Sequence, residues 1–293
     1  MIKIATVITN YNKAEFIADA IQSAIAQGDP VIVVDDASTD GSRDLIRNFE
    51  NIDVHCLDVN VGATMATVIG VEAAIKQGAE FVTLLDGDDV LCQNANAYYR
   101  ELLNKYPCGG IYSSVCRRRK SDAREDAVPC DLKAEILIIL RPLKRWLTRG
   151  KGTTAVCARP KYMLANIVRD LRYQDHQIAY SIHKNSDCVI YSDAVTHYCS
   201  IAESSNLSQL WHLRHTSLMR FYCSIYPEIS TLPETRILAK KIRRYVWKTA
   251  LYRSMKLDFR FLTQLLRVLF TRNPTPEFVE QEARIGLRWL GHL

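Results

Sequence analysis

The chain has 293 residues, 48% of them hydrophobic, with a formal net charge of +6. That length and apolar content support one main domain with an appendage and argue against disorder, since Gly and Pro are sparse and no low-complexity tract or repeat is visible. The nine cysteines are scattered without a C-x-x-C pair or zinc-type spacing, which fits reduced, core-filling thiols in a cytoplasmic protein rather than a disulfide framework or a zinc site.

In chain order, "KIATVIT" reads as a strand, and "KAEFIADAIQSAIAQ" places Phe16, Ile17, Ala20, Ile21, Ala24 and Ile25 at helical spacing. "PVIVVDD" is a second strand, and "STDGSRDLIRNFE" opens with cap-type residues and continues as a helix. "VHCLDV" is a third strand, "GATMATVIGVEAAIKQG" a helix closed by Gly78, and "EFVTLLD" a fourth strand. Alternation of this kind predicts a parallel sheet wound with helices, whose ligands gather beyond the carboxyl ends of the strands. Three polar clusters, "TNYN", "DDAST" and "DGDD", follow three of these strands and should face one crevice.

"AYYRELLNKY" is a further helix and "GGIYSSVC" a strand. Residues 117–150 break the rhythm with the charged patch "RRRKSDARED" and a short helical piece ending in basic "RPLKRWLTRGK", as a substrate-binding insertion would. "TTAVCA", a helix over about 160–170, "YQDHQIAYSIHKN" and the strand "CVIYSDAVTHYC" complete the core. Beyond "SSNLSQ" the chain reads as mainly helical, so the expected organisation is a catalytic domain over 1–205 and a basic helical region over 206–293. From Arg236 to Arg272 eleven basic residues stand against the single acid Asp258. "ETRILAKKIRRYVWKTALYRSMK" has an apolar stripe at helical spacing, which suits either a helix docked on the core or peripheral contact with an anionic membrane surface. No recognised nucleic-acid-binding motif accompanies the charge, so nucleic acid is not an expected partner. The N-terminus lacks the features of a signal peptide, and "AEILIIL" is far shorter than a membrane span.

Asp86, Asp88 and Asp89 crowd the end of the fourth strand. Such carboxylates need a cation, a proton or a ring of donors between them, or they serve as an acidic turn capping the next helix. The favoured occupant is a hard divalent ion, Mn2+ or Mg2+, which takes one or two protein carboxylates plus phosphate oxygens. In "VVDDAST", Ser38, Thr39 or Asp40 can cap the following helix, whereas Asp35 and Asp36 at the end of an apolar strand suit an acceptor for a base N–H.

Together, "TVITNYNKAEFIADAIQSAIAQ", "VIVVDDASTDGS", "NVGATMATVIGVEAA" and "FVTLLDGDDV" resemble, in order and spacing, the signatures of inverting family-2 glycosyltransferases with the GT-A fold. "YQDHQIAYSI" resembles that family's second acidic motif, usually Glu-Asp or Asp-Asp. The resemblance implies a doubly wound, mixed and mainly parallel α/β sheet with a C-terminal helical appendage. It also implies transfer of a sugar from a nucleotide-sugar, with UDP the expected carrier, to a hydroxyl of a saccharide or lipid-linked saccharide in polysaccharide or surface-glycan synthesis. Thr9, Asn10 and Tyr11 would line the nucleotide pocket, Asp36 would meet the base, and Asn60 and Gly62 would form the Asn-x-Gly turn beside it. Asp86 would be a supporting carboxylate, Asp88 would face the ribose and help hold the DXD-motif metal, Asp89 would hold the metal at the diphosphate, and Asp175 would be the base. Two departures stand out: Gln174 replaces the usual acid before Asp175, and Cys199 and Ile201 stand near positions where the family pattern has Tyr-Arg and His, with His197 just before them, either a structural histidine, the favoured reading, or one that approaches the metal or diphosphate. The competing readings are a catalytically inactive sugar-nucleotide-binding scaffold and a sugar nucleotidyltransferase. The second would want a glycine-bearing phosphate loop that "TNYNKAEF" lacks.

Overall fold

A computed structural model describes residues 1–118, 134–149, 155–171 and 174–200, together with Phe221, Tyr222, Ser224, Ile225, Glu228, Ile229 and Leu232. Most of the charged patch after Arg118 and the basic helix expected over 236–249 lie outside the described residues. The chain divides into two compact units, Met1–Trp146 with Lys151–Ser204, and Leu147–Gly150 with Ser205–Leu293.

In the first unit, β1 (Ile4–Asn10), α1 (Ile17–Ile25), β2 (Val31–Asp35), α2 (Ser42–Arg47), β3 (Asp53–Cys56), α3 (Ala63–Lys76) and β4 (Phe81–Asp86) follow the predicted alternation. The short β5 (Asp89–Leu91), α4 (Ala95–Lys105), β6 (Gly110–Arg118), β7 (Ile136–Ile139), α5 (Pro142–Arg149), β8 (Val156–Ala158), α6 (Pro160–Leu164), α7 (Asp175–Asn185) and β9 (Val189–Ser200) come next. The sheet runs β3-β2-β1-β4-β8-β6-β9-β5, with β7 on β9. Strands β3, β2, β1 and β4 are mutually parallel, and β8 is antiparallel to its neighbours β4 and β6, giving the mixed doubly wound architecture.

Strand alternation divides the core into two layers. Ile4, Ile8, Val31, Val33, Phe81 and Leu85 face α1, α2 and α4, where Ile17, Ile21, Ile46, Tyr98 and Tyr99 are buried. Ala5, Val7, Ile32, Val34 and Val82 face the other way, onto α3 and α7 through Ala66, Val71, Ala74, Ile178 and Ile182. Polar positions on the first face are paired with one another: Asn96 accepts from the Thr83 hydroxyl at 2.7 Å and donates to Thr6 Oγ1 at 3.2 Å and Asp29 at 3.1 Å. Buried polar groups paired this way avoid the desolvation penalty that orphaned ones carry.

Three elements differ from the sequence reading, the first being the helix expected over about 160–170, which spans only Pro160–Leu164. The apolar run before "RPLKRW" forms the strand β7, antiparallel to β9 with Ile138 opposite Ile190, because a neighbouring edge offered its backbone groups a ladder. The "DGDD" cluster does not simply end a strand: Asp89 starts β5, which pairs with β9 opposite Cys199.

Helix α3 approaches β1 and β2 most closely at Gly70, where an added Cβ would lie 2.4 Å from Val7 Cγ1 and 3.2 Å from Val34 Cγ2. Gly70→Ala should therefore lower stability by about 1–3 kcal/mol through overpacking, in spite of the better helix propensity of alanine. Denaturant unfolding of the two proteins checks this, and an equal or higher midpoint for the variant would refute the close-contact account.

Candidate active site

Three adjacent parallel strands end together. Asn10 of β1 is in register with Asp35 of β2, and Thr9 of β1 with Asp86 of β4. The three polar clusters are thus carried to one edge of the sheet by strand pairing alone.

The loops after β1 and β2 are knitted into one surface. Asn10 Nδ2 donates to Asp35 at 2.7 Å and to Ser38 Oγ at 3.1 Å, and the Asn12 N–H donates to Ser38 Oγ at 2.9 Å. The Thr39 N–H donates to Asn12 Oδ1 at 2.8 Å. None of the three residues expected to cap α2 is its N-cap, which is Gly41; Asp40, just before it, accepts from the Ser42 N–H at 3.1 Å and hydroxyl at 2.5 Å, while Ser38 and Thr39 join the two loops. Asp35 is fully buried and accepts from Ser38, Asn10 and Arg43. Burial alone would raise its pKa, but these hydrogen bonds outweigh it and hold the carboxyl below its ordinary range.

Asp36 is engaged by the turn before α3. Its two carboxylate oxygens accept from the backbone N–H groups of Val61, at 2.7 Å, and Gly62, at 2.8 Å, while Asn60 Nδ2 donates to the Asp36 carbonyl at 3.2 Å. Gly62 has φ +87 and ψ 157, a backbone conformation closed to side-chain-bearing residues, so glycine at this place lets the turn present both amides to one carboxylate. Asp36, Asn60 and Gly62 are therefore brought together as one clamp at the start of α3.

The acidic cluster sits beside this clamp. Gly87 passes so close to β1 that an added Cβ would lie 2.7 Å from Asn10 Oδ1 and 3.1 Å from the Thr9 carbonyl, which also accepts the Gly87 N–H at 2.9 Å. Asn10 Oδ1 is buried there without a hydrogen-bond partner. Tyr11 is 47% exposed at the rim. Asp89 is buried and accepts the Ser200 N–H at 3.1 Å. Burial first, and then the Asp88 charge, push its pKa up to about 6, against the donors Cys199 and Ser200 and the charge of Lys13. Asp86 opens to solvent at the crevice mouth while protein crowds it on the other sides. That confinement first, and then the charges of Asp89, Asp175 and Asp88, raise its pKa well above the ordinary value, with Lys13 opposing. Asp175, 86 residues further on than Asp89, is thus brought within electrostatic range of the cluster by the start of α7.

Two residues that the sequence reading passed over complete this arrangement. Lys13 Nζ pairs with Asp88 at 2.7 Å, both side chains being largely shielded from solvent. The Thr67 hydroxyl of α3 donates to Gln174 Oε1, fastening the residue before Asp175 to the helix that follows the Asp36 clamp. Neither lies at a position that periodicity marks, and only the adjacency of Lys13 to "TNYN" could have drawn attention to it. On the other side of α7, the Trp146 ring packs against Tyr180 at 5.2 Å and His176 at 6.5 Å between centroids.

His197 is a structural residue. Its Nε2–H donates to the Leu84 carbonyl at 3.1 Å, so Nδ1 accepts from the Thr196 hydroxyl at 2.8 Å. Burial pulls its pKa down to about 4, which keeps the ring neutral at pH 7.

Among the described residues, no group of three or more His, Cys, Asp or Glu side chains stands close enough to hold a metal ion by itself. The donor set nonetheless suits a hard cation completed by a ligand: two neighbouring carboxylates, Asp88 and Asp89, supply oxygen only, and Mg2+ takes its other ligands from phosphate and water.

Residues 6–129 match the glycosyl transferase family 2 model. Over that stretch the chain is similar to family 2 glycosyl transferases. TuaG of Bacillus subtilis, assigned as a teichuronic acid biosynthesis glycosyltransferase, is 38% identical over 93 residues, 29% of this chain and 36% of that protein. An uncharacterized glycosyltransferase of Nostoc sp. is 37% identical over 95 residues, 30% of this chain and 29% of its own length. The matches thus span about a third of these curated relatives. The fold is also that of S. aureus TarS residues 1–349 in complex with UDP (TM-score 0.61, 18% identity, 83% of this chain and 72% of that one). The Pyrobaculum calidifontis mannosyltransferase PcManGT in complex with GDP-Man and Mn2+ shares it as well (TM-score 0.53, 15% identity, 98% and 87%). The architecture is the GT-A fold.

Removing the Asp36 carboxylate strands two amide donors at the start of α3. Asp36→Ala should cost about 1–3 kcal/mol and raise amide hydrogen exchange at Val61 and Gly62 by about tenfold or more. Unchanged exchange at both amides would show that the clamp does not hold the turn.

Proposed function

We propose that the protein is an inverting glycosyltransferase that moves a sugar from a UDP-linked donor to a hydroxyl of a saccharide or lipid-linked saccharide acceptor. The supporting observation is that Asp175 shares one crevice, at the carboxyl ends of the strands, with Asp86, Asp88 and Asp89. A base carboxylate close to the acids that hold the donor is what direct displacement requires. In this reading residues 1–205 are the catalytic domain.

Thr9, Asn10 and Tyr11 line the nucleotide pocket, and Asp36 serves it chiefly by fixing the Asn60–Gly62 turn against which the base lies. Asp88 and Asp89 would hold Mn2+ or Mg2+, which when bound neutralises charge on the departing diphosphate. Asp175 takes the proton from the acceptor hydroxyl as that oxygen attacks the anomeric carbon, and a single displacement inverts the configuration. Thr67 and Gln174 hold the start of α7 so that the Asp175 carboxylate stays over the donor. Trp146, against α7, forms part of the wall beside it.

A UDP donor and a cell-surface polysaccharide setting are supported by the similar proteins: TarS in complex with UDP and UDP-GlcNAc, and TuaG assigned to teichuronic acid biosynthesis. Mn2+ in the PcManGT complex supports the metal. No helix among the described residues is long and apolar enough to cross a membrane. A cytoplasmic enzyme with peripheral membrane contact through its basic C-terminal region accords with lipid-linked acceptors.

Asp175→Asn should lower sugar transfer by about 100-fold or more while UDP affinity stays within about twofold. Asp89→Asn should weaken UDP binding in Mn2+ far more than in a chelator. Calorimetry with UDP, with and without Mn2+, and a transfer assay read both variants. Transfer by Asp175→Asn at the unmodified rate would sink the base assignment, and nucleotide binding without any transfer in the unmodified protein would favour the inactive scaffold.

A further inference from the structure

The Lys13–Asp88 pair brings a basic side chain into the acidic cluster. The backbone of Lys13 is fixed: its N–H donates to Ser42 Oγ at 3.2 Å, and its carbonyl accepts from Phe16 and Ile17, each at 2.9 Å. The Cα is therefore held between α1 and α2, and only the side chain is able to change position. Its ammonium lies 2.7 Å from Asp88 Oδ2, with both side chains about seven-eighths shielded from solvent, a setting in which a charge pair is screened far less than at the open surface.

This contact occupies the place that two other charges need. A divalent ion on Asp88 would sit about 2 Å from a carboxylate oxygen, and an ammonium at hydrogen-bond distance from the same oxygen would repel it. A diphosphate joined to that ion would bring several anionic oxygens to the same few ångströms. Lysine suits the exchange: its flexible stem carries a compact charge that re-pairs without loss, whereas a guanidinium would stay locked in a forked pair with the carboxylate.

We propose that Lys13 is a donor-binding residue that neutralises Asp88 in the unliganded protein and transfers its ammonium to the diphosphate of the nucleotide-sugar when Asp88 turns to the divalent ion. The proposal rests on the donor-site reading above and deepens it. It makes the empty-handed cluster self-compensating, and it couples metal and nucleotide binding, because each ligand removes the reason for Lys13 to stay on Asp88.

The test is calorimetry on the full chain with UDP, with uridine and with Mn2+ alone, comparing the unmodified protein with Lys13→Met, with Lys13→Gln as a second uncharged variant and Lys13→Arg as a charge-retaining one. For the uncharged variants, UDP affinity in Mn2+ should fall about tenfold or more with uridine affinity unchanged. Mn2+ alone should bind more tightly than to the unmodified protein, and Lys13→Arg should restore part of the UDP affinity. Equal UDP affinity in the uncharged variants overturns the proposal, as does a parallel loss of UDP and uridine, which would mark Lys13 as a structural residue. Mn2+ binding that is no tighter overturns the part in which Lys13 competes for Asp88. Failure of the unmodified protein to bind UDP at all would instead remove the donor-site reading, so the two failures are distinguishable.

Discussion

Four carboxylates meeting at the carboxyl ends of parallel strands impose the governing constraint on this molecule. The charges of Asp89, Asp175 and Asp88 add to confinement in raising the pKa of Asp86, as the Asp88 charge does for Asp89, and an arrangement of that kind persists only where the surrounding fold supplies enough rigidity to hold the charges together. The described structure supplies two local answers, an ammonium on Asp88 and backbone and thiol donors on Asp89. Asp86 gains only the opposing charge of Lys13, which does not outweigh its confinement and its acidic neighbours.

The rigidity comes from layers of hydrogen bonding behind the cluster. Asp35, fully buried, is tied to Asn10, Ser38 and Arg43; Asp36 holds the turn before α3; and α3 in turn reaches the start of α7 through Thr67 and Gln174. These links run through three loops and two helices and end at Asp175. The chain therefore spends its pair "DD" on architecture: one aspartate secures the β2 loop and the other secures the turn. A neutral Gln174 fits this design, because it accepts from a hydroxyl where a second ionised group would add to an already acidic crevice.

Much of the fold was legible because its causes are local. Alternating apolar strands and helix-period segments specify the β1–β4 half, and the polar clusters after those strands fall where ligand-binding loops belong. The β7 strand was hidden because "AEILIIL" has no period of its own and becomes a strand only by pairing with β9. The short β5 was hidden for the same reason, since Asp89 carries no strand propensity and owes its conformation to Cys199 across the ladder. At the site, sequence pattern singled out the acidic residues but not the amides that Asp36 accepts from, because a carboxylate's partner is a matter of which amides a distant turn presents.

The sequence by itself determined that strands and helices alternate and that aspartates cluster at strand ends, since each follows from periodicity and from the residues at element boundaries. Only the tertiary structure decided that Asp175 faces Asp86, that Lys13 rests on Asp88, that Thr67 fastens Gln174, and that His197 is sealed between Leu84 and Thr196. The reason is physical: pairings between residues far apart in the chain depend on sheet register and helix packing, and a side chain's charge or hydrogen bond is fixed by the partner that packing brings to it.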